Sequence, residues 1–169
     1  ELYALSQKSN YVFGSPLGPF YRKAQALHLP RFVYFGPHTH DESLRLAFYA
    51  GFDHADLRGS FALLHLVERL AIDPDLGQGL NLSFFPLVDA AGLFQGAQNR
   101  ELSRASWPVS TEPELDLLQK DARVRGYHGF VCVESATGAD DIRVTLRSQA
   151  DETVTTPGVE LISSEDFEP

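Results

Sequence analysis

The chain has 169 residues, 43% of them hydrophobic and 22% charged, with a net charge of −9; this suits one domain of ordinary size with a packed core. The acidic balance excludes sequence-independent nucleic-acid binding, which needs clustered Lys and Arg against phosphates. A single cysteine, Cys132, excludes a disulfide framework, and no run is long and apolar enough for a membrane-spanning helix. No nucleic-acid or membrane partner is therefore expected. No signal peptide is visible, so the expected location is cytoplasmic. Glu1 leads the chain and methionine is absent, so the sequence reads as a piece of a longer protein.

Residues 1–30 hold Gly14, Pro16, Gly18, Pro19 and Pro30 and read as a loop-rich lead-in with one short strand, Tyr11-Val12-Phe13. Residues 31–35 form the first firm strand, and 42–50 read as a helix. Residues 59–72 form a stronger helix, with Phe61, Leu64, Val67, Leu70 and Ala71 at helical spacing and Asp73-Pro74 ending it. Residues 80–85 are the next strand. Residues 86–108 have little periodicity, and loops of that length in compact domains are usually functional. A helix follows over 112–123, with Thr111 as N-cap and Pro113 near its first position. Strands are expected over 129–134 and 142–146. From residue 148 the chain is a polar, acidic tail with one apolar run, 159–162. All 169 residues read as a single catalytic-type domain.

Alternating strands and helices imply a mostly parallel sheet with helices on its faces. Right-handed crossovers then put the strand C-terminal ends on one edge, where such folds bind ligands. Gly36-Pro37-His38-Thr39-His40-Asp41-Glu42 follows the strand Phe32-Val33-Tyr34-Phe35. Imidazole plus carboxylate suits a zinc ion with an open position. The competing reading is a polar loop and helix start, where Asp41 and Glu42 complement the helix dipole.

Three blocks, spanning about residues 31–135, together resemble the zinc carboxypeptidase-like hydrolases, the group that includes the aspartoacylase and succinylglutamate desuccinylase branch. The first is Gly36 to Asp41, similar to the family's Gly-x-His-Gly-x-Glu, whose His and Glu bind zinc. The second is Pro86-Leu87-Val88-Asp89-Ala90-Ala91-Gly92 through Arg100, then Glu101-Leu102-Ser103-Arg104. It resembles Pro-x-x-Asn-Pro-x-Gly-Phe-x-x-Gly-x-Arg followed by Asp-Leu-Asn-Arg, where the Asn-Arg pair holds a substrate carboxylate. The third, Gly129 to Ser135, resembles an apolar strand whose end carries the third zinc ligand, a His.

The resemblance implies a three-layer α/β/α sandwich with a mostly parallel mixed sheet. It implies one zinc ion on His38, Asp41 and Glu134, with His40 and Glu42 as an alternative pair. It also implies a substrate carboxylate on Arg104, assisted by Ser103 and Arg100, because the rigid guanidinium fork meets a carboxylate with two parallel hydrogen bonds. The family's general base is a Glu on a later strand, for which Glu160 is the best candidate. All three blocks depart from the pattern: one His and two carboxylates replace two His and one Glu, a more oxygen-rich set that holds zinc less selectively.

Two functions follow. One is a zinc-dependent hydrolase of an amide or peptide bond beside a free carboxylate, acting on a small peptide or acylated amino acid. The other is a catalytically degenerate relative that keeps the fold and the carboxylate pocket as a binding module. An amidohydrolase barrel, suggested by His38-Thr39-His40, needs about 250 residues and is excluded by length. His28, His54, His65 and His128 are isolated and read as packed or surface residues, and Trp107 as a loop anchor.

Overall fold

A computed structural model describes residues 2–96, 102, 112–135, 142–148 and 159–162. The helices are α1 (Leu2–Ser6), α2 (Arg58–Ile72), α3 (Ala90–Gln95) and α4 (Pro113–Arg125). The strands are β1 (Val12–Gly14), β2 (Leu17–Arg22), β3 (Gln25–Leu29), β4 (Phe32–Phe35), β5 (Leu44–Tyr49), β6 (Leu80–Phe85), β7 (Gly129–Ser135), β8 (Ile142–Ser148) and β9 (Val159–Ile162). Seven strands form one sheet in the order β1-β4-β6-β5-β7-β8-β9, and β2 pairs with β3 apart from it.

The expected α/β sandwich is present, with a mixed sheet. Parallel pairing joins β5 to β6 and β5 to β7, while the flanking strands pair antiparallel. Side chains alternate across the central strands. Leu82, Phe84, Val131 and Val133 pack against Leu63, Val67 and Leu70 of α2. Ala47, Tyr49, Phe85 and Cys132 point the other way, toward Leu115 and Leu118 of α4 and the β2–β3 hairpin. This gives three layers.

Residues 42–50 are corrected from helix to strand. Ala47 and Tyr49 are fully buried, with Leu46 and Phe48 packed into the opposite core. A strand covered on both faces reads as a continuous apolar run, which periodicity alone does not separate from a buried helix. The lead-in is also more ordered than expected. It supplies α1, β1 and the hairpin, whose Phe20 and Leu29 enter the core. On α2 the buried stripe is Gly59, Ser60, Leu63, Val67 and Leu70, and Phe61 faces solvent.

The two parallel crossovers leave on opposite faces. β5 connects to β6 through α2, and β6 connects to β7 through α3 and α4. The C-terminal ends of β5 and β6 therefore flank a switch point, the place where open α/β sheets form a crevice. The start of α2 is pinned there. A Cβ on Gly59 would stand 2.5 Å from the Val133 carbonyl oxygen of β7. Because both partners are backbone, Gly59→Ala forces α2 off the sheet. It is expected to cost about 1–3 kcal/mol, read as a lower urea midpoint at unchanged slope.

Candidate functional site at the switch point

The segment 36–42 leaves β4, which runs antiparallel to β6. It therefore lies at the edge where β5 and β6 begin. The Gly36 amide donates to the Leu80 carbonyl at 2.9 Å, and the Gly79 amide to the Pro37 carbonyl at 2.7 Å. Thr39 Oγ1 donates to the Gly36 carbonyl at 2.5 Å. A Cβ on Gly36 would meet the Gly77 carbonyl oxygen at 1.9 Å, so this glycine serves a close backbone approach. His38 turns the chain with φ 60°. The backbone amide of Glu42 donates to His40 Nδ1 at 3.3 Å, and that of His40 to Ser43 Oγ at 2.8 Å.

Glu134 lies near the far end of β7. Register pairs Leu46 with Gly129 and Tyr49 with Cys132, which carries Glu134 beyond Tyr49. Asp41 precedes Leu44 at the other end of the same strand. The separation is seven or more residues of strand, about 23 Å at ~3.3 Å each. Metal ligands reach to about 2 Å, so the structure does not bring His38, Asp41 and Glu134 together on one ion. His40 and Glu42 share the position of His38. The backbone of Glu160 lies on the edge strand β9, across from Val144 and two strands out from β7. Arg100, Ser103 and Arg104 lie outside the described residues.

Other residues occupy the C-terminal edge. After β5 come Gly51-Phe52-Asp53-His54-Ala55-Asp56; after β6 come Pro86 to Asp89; β7 ends in Glu134-Ser135. Gly51 has φ +66°, and a Cβ there would stand 2.7 Å from Ser60 Oγ and 2.9 Å from the Pro86 carbonyl oxygen. It is the glycine that lets the β5 and β6 loops touch. Three backbone bonds tie them: Ala50 to the Phe85 carbonyl at 3.0 Å, Val88 to Ala50 at 3.0 Å, and Asp89 to Gly51 at 2.7 Å. Leu102 donates its amide to the Phe52 carbonyl at 3.2 Å and is buried in the same core.

Across this crevice His54 Nδ1 and Asp89 Oδ2 are 2.6 Å apart. The Asp89 side chain is fully buried and that of His54 is 14% exposed. Asp89 also caps α3, accepting the Gly92 amide on Oδ1 at 2.9 Å. Gly92 is required here, because a Cβ would fall 1.9 Å from Asp89 Oδ2 and 2.5 Å from His54 Nδ1. A buried carboxylate that accepts from Nδ1–H leaves Nε2 with its lone pair. Such an imidazole is oriented, as in carboxylate-backed general bases.

Asp53 and Asp56 are engaged locally. Asp53 Oδ1 accepts the Ala55 amide at 2.8 Å. Asp56 is clasped by Arg58, with Nη2 to Oδ2 at 2.7 Å and Nε to Oδ1 at 3.0 Å. The Arg58 guanidinium holds the Asp56 carboxyl well below the usual carboxylate range against the opposing push of burial. Glu134 sits across from Arg143 of β8, an opposite-charge cross-strand pair.

No family model and no curated protein matches the sequence. Among solved structures, the crystal structure of an aspartoacylase family protein from Mesorhizobium loti MAFF303099 matches with a TM-score of 0.53 at 16% identity, covering 73% of this chain and 40% of that one. The fold is aspartoacylase-like. The chain spans two-fifths of the length of that neighbour.

The loop after β5 also opens on a glycine, Gly51, followed by Asp53, His54 and Asp56; against Gly-x-His-Gly-x-Glu only the first Gly is matched. Sequence reading missed this loop, together with the pairing of His54 and Asp89. The available signal was Gly51 to Asp56 just ahead of the strongest helix. It was hidden because the preceding strand was read as helix. The zinc set does not fit these residues. The Ala55 amide occupies Asp53 Oδ1. Arg58 occupies Asp56 with two nitrogens, and Asp89 occupies the Nδ1 of His54. Among the described residues no three His, Cys, Asp or Glu side chains converge.

Two outcomes test this geometry. A double-mutant cycle of His54→Ala and Asp89→Ala, read by urea unfolding, is expected to give a coupling of about 1–3 kcal/mol; additivity refutes the pairing. The Asp56 carboxyl is depressed in the folded state, so its stabilisation is full above about pH 4, the unfolded value, and is lost as pH falls further. The melting-temperature gap between wild type and Arg58→Gln should therefore narrow as the pH is lowered from about 7 to about 2.

Proposed function

We propose that this chain is a catalytically degenerate, aspartoacylase-like domain. It binds a small peptide or acylated amino acid through a free carboxylate at the switch-point crevice, without a zinc centre. The observation that carries this reading is the Arg58 clasp on Asp56. It places a cation on an acidic side chain of the switch-point edge, where a metal site of the resembled kind would need free carboxylates. A cation at that spot repels a second cation and takes up one acceptor site on each Asp56 oxygen. Arg104, assisted by Ser103 and Arg100, is the proposed carboxylate fork, in keeping with the second block of the resemblance.

A hydrolase of the deacylase type is the second reading, and the His54–Asp89 pair favours it. With Nδ1–H held by Asp89, the Nε2 of His54 accepts a proton from an attacking water. The imidazolium that forms is stabilised by the buried carboxylate. This route asks nothing of a metal.

The experiment combines metal analysis, turnover and binding on protein purified without chelator. The degenerate reading expects substoichiometric zinc, no melting-temperature gain on adding zinc, no turnover of N-acetyl amino acids, and saturable calorimetric binding of them that Arg104→Ala abolishes. Near-stoichiometric zinc whose removal abolishes turnover overturns it in favour of a zinc-dependent hydrolase. Turnover that survives chelation but is lost in His54→Ala overturns it in favour of the His54 route.

A further inference from the structure

A cleft of about 340 Å³ lies on the α4 face, away from the switch point. Arg45 and Asn81 line it, and both sit at the start of their strands, β5 and β6. Arg31, Asp121 and Arg125 complete its charged wall. Three guanidiniums therefore face one carboxylate, in a protein whose net charge is −9.

The one carboxylate is oversubscribed. Asp121 pairs with Arg31 Nη1, accepts from the Tyr127 hydroxyl at 2.7 Å and faces Arg125 Nε at 3.4 Å. Arg45 is positioned by backbone oxygens instead: Nε donates to the Gly126 carbonyl at 3.1 Å and Nη1 to the Asp41 carbonyl at 3.2 Å. Neutral carbonyls aim a guanidinium without cancelling its charge. Among the described residues no carboxylate pairs with Arg45. Burial lowers the pKa of Arg31; Asp121 opposes this, and the neighbouring charge of Arg125 adds a smaller push in the same direction.

We infer that this cleft binds a small phosphomonoester. Three cations against one anion leave two positive charges, which a dianionic phosphate cancels. Guanidinium forks hold phosphate oxygens with paired, charge-assisted hydrogen bonds. The volume is at the low end of small-molecule sites and exceeds the phosphate group alone. Leu17 and Val124, also in the lining, offer apolar surface to the remainder of the ligand. This site is independent of the function proposed for the switch point.

The test is titration calorimetry of the full chain with phenyl phosphate, inorganic phosphate and succinate, with chloride matching the ionic strength. Saturable binding is expected, tightest for phenyl phosphate. Arg125→Gln removes one fork, and Val124→Glu adds a negative charge at a residue 85% exposed while leaving every ion pair in place. Each is expected to weaken phenyl phosphate binding about tenfold. Binding no stronger than chloride accounts for, binding unchanged in the folded Val124→Glu variant, or succinate binding tighter than phenyl phosphate each overturns the inference.

Discussion

Leu44–Tyr49 pairs in parallel with both β6 and β7, and that shared direction decides which loops can meet. Three strand ends then open on one edge, and their connections leave on opposite faces. The crevice between β5 and β6 is a consequence, and so is the meeting of His54 with Asp89 across it. Burial enforces the arrangement. Ala47 and Tyr49 belong to one core, and Leu46 and Phe48 pack against the other. A register slip of one residue would exchange the two sets of side chains between the cores.

The elements with simple local signals were legible before the structure. Residues 80–85 are a strand as expected, and 59–72 and 112–123 are helices within two residues of their observed ends. What misled was direction. Phe32–Phe35 is apolar and precedes a Gly, two His and two acids, so it looked like a strand leading into a site. Its antiparallel pairing with β6 turns that segment to the far edge, and no local pattern encodes strand direction. Residues 44–49 carry the converse lesson. Two-sided burial removes the alternation that would have marked a strand, and with it the cue that Gly51 to Asp56 begins the loop after a parallel strand. The close contact of Gly92 with Asp89 and His54 depends on loops 35 residues apart, which only the fold brings together.

At the switch point, electrostatics and geometry act in the same direction. A fork that satisfies both oxygens of Asp56 is strong because it is paired and charge-assisted. It is stable because Arg58 opens the helix that Gly59 seats against β7. The Asp89 carboxylate is equally committed, to the start of α3 and to an imidazole. Both carboxylates are thus committed to partners within the chain.

The strand that defines the crevice also carries the opposite chemistry at its other end. Arg45, its second residue, is aimed by the carbonyls of Gly126 and Asp41. The segment 36–42 therefore has work to do, through its backbone: its turn delivers the Asp41 oxygen to a guanidinium. One β-strand thus separates a carboxylate-rich edge from a guanidinium-rich cleft by roughly its own length, about 20 Å for six residues. That exceeds twice the screening length at physiological salt, about 8 Å. The two ends therefore act as separate electrostatic environments, and a charge bound at one leaves the other's affinity largely unchanged.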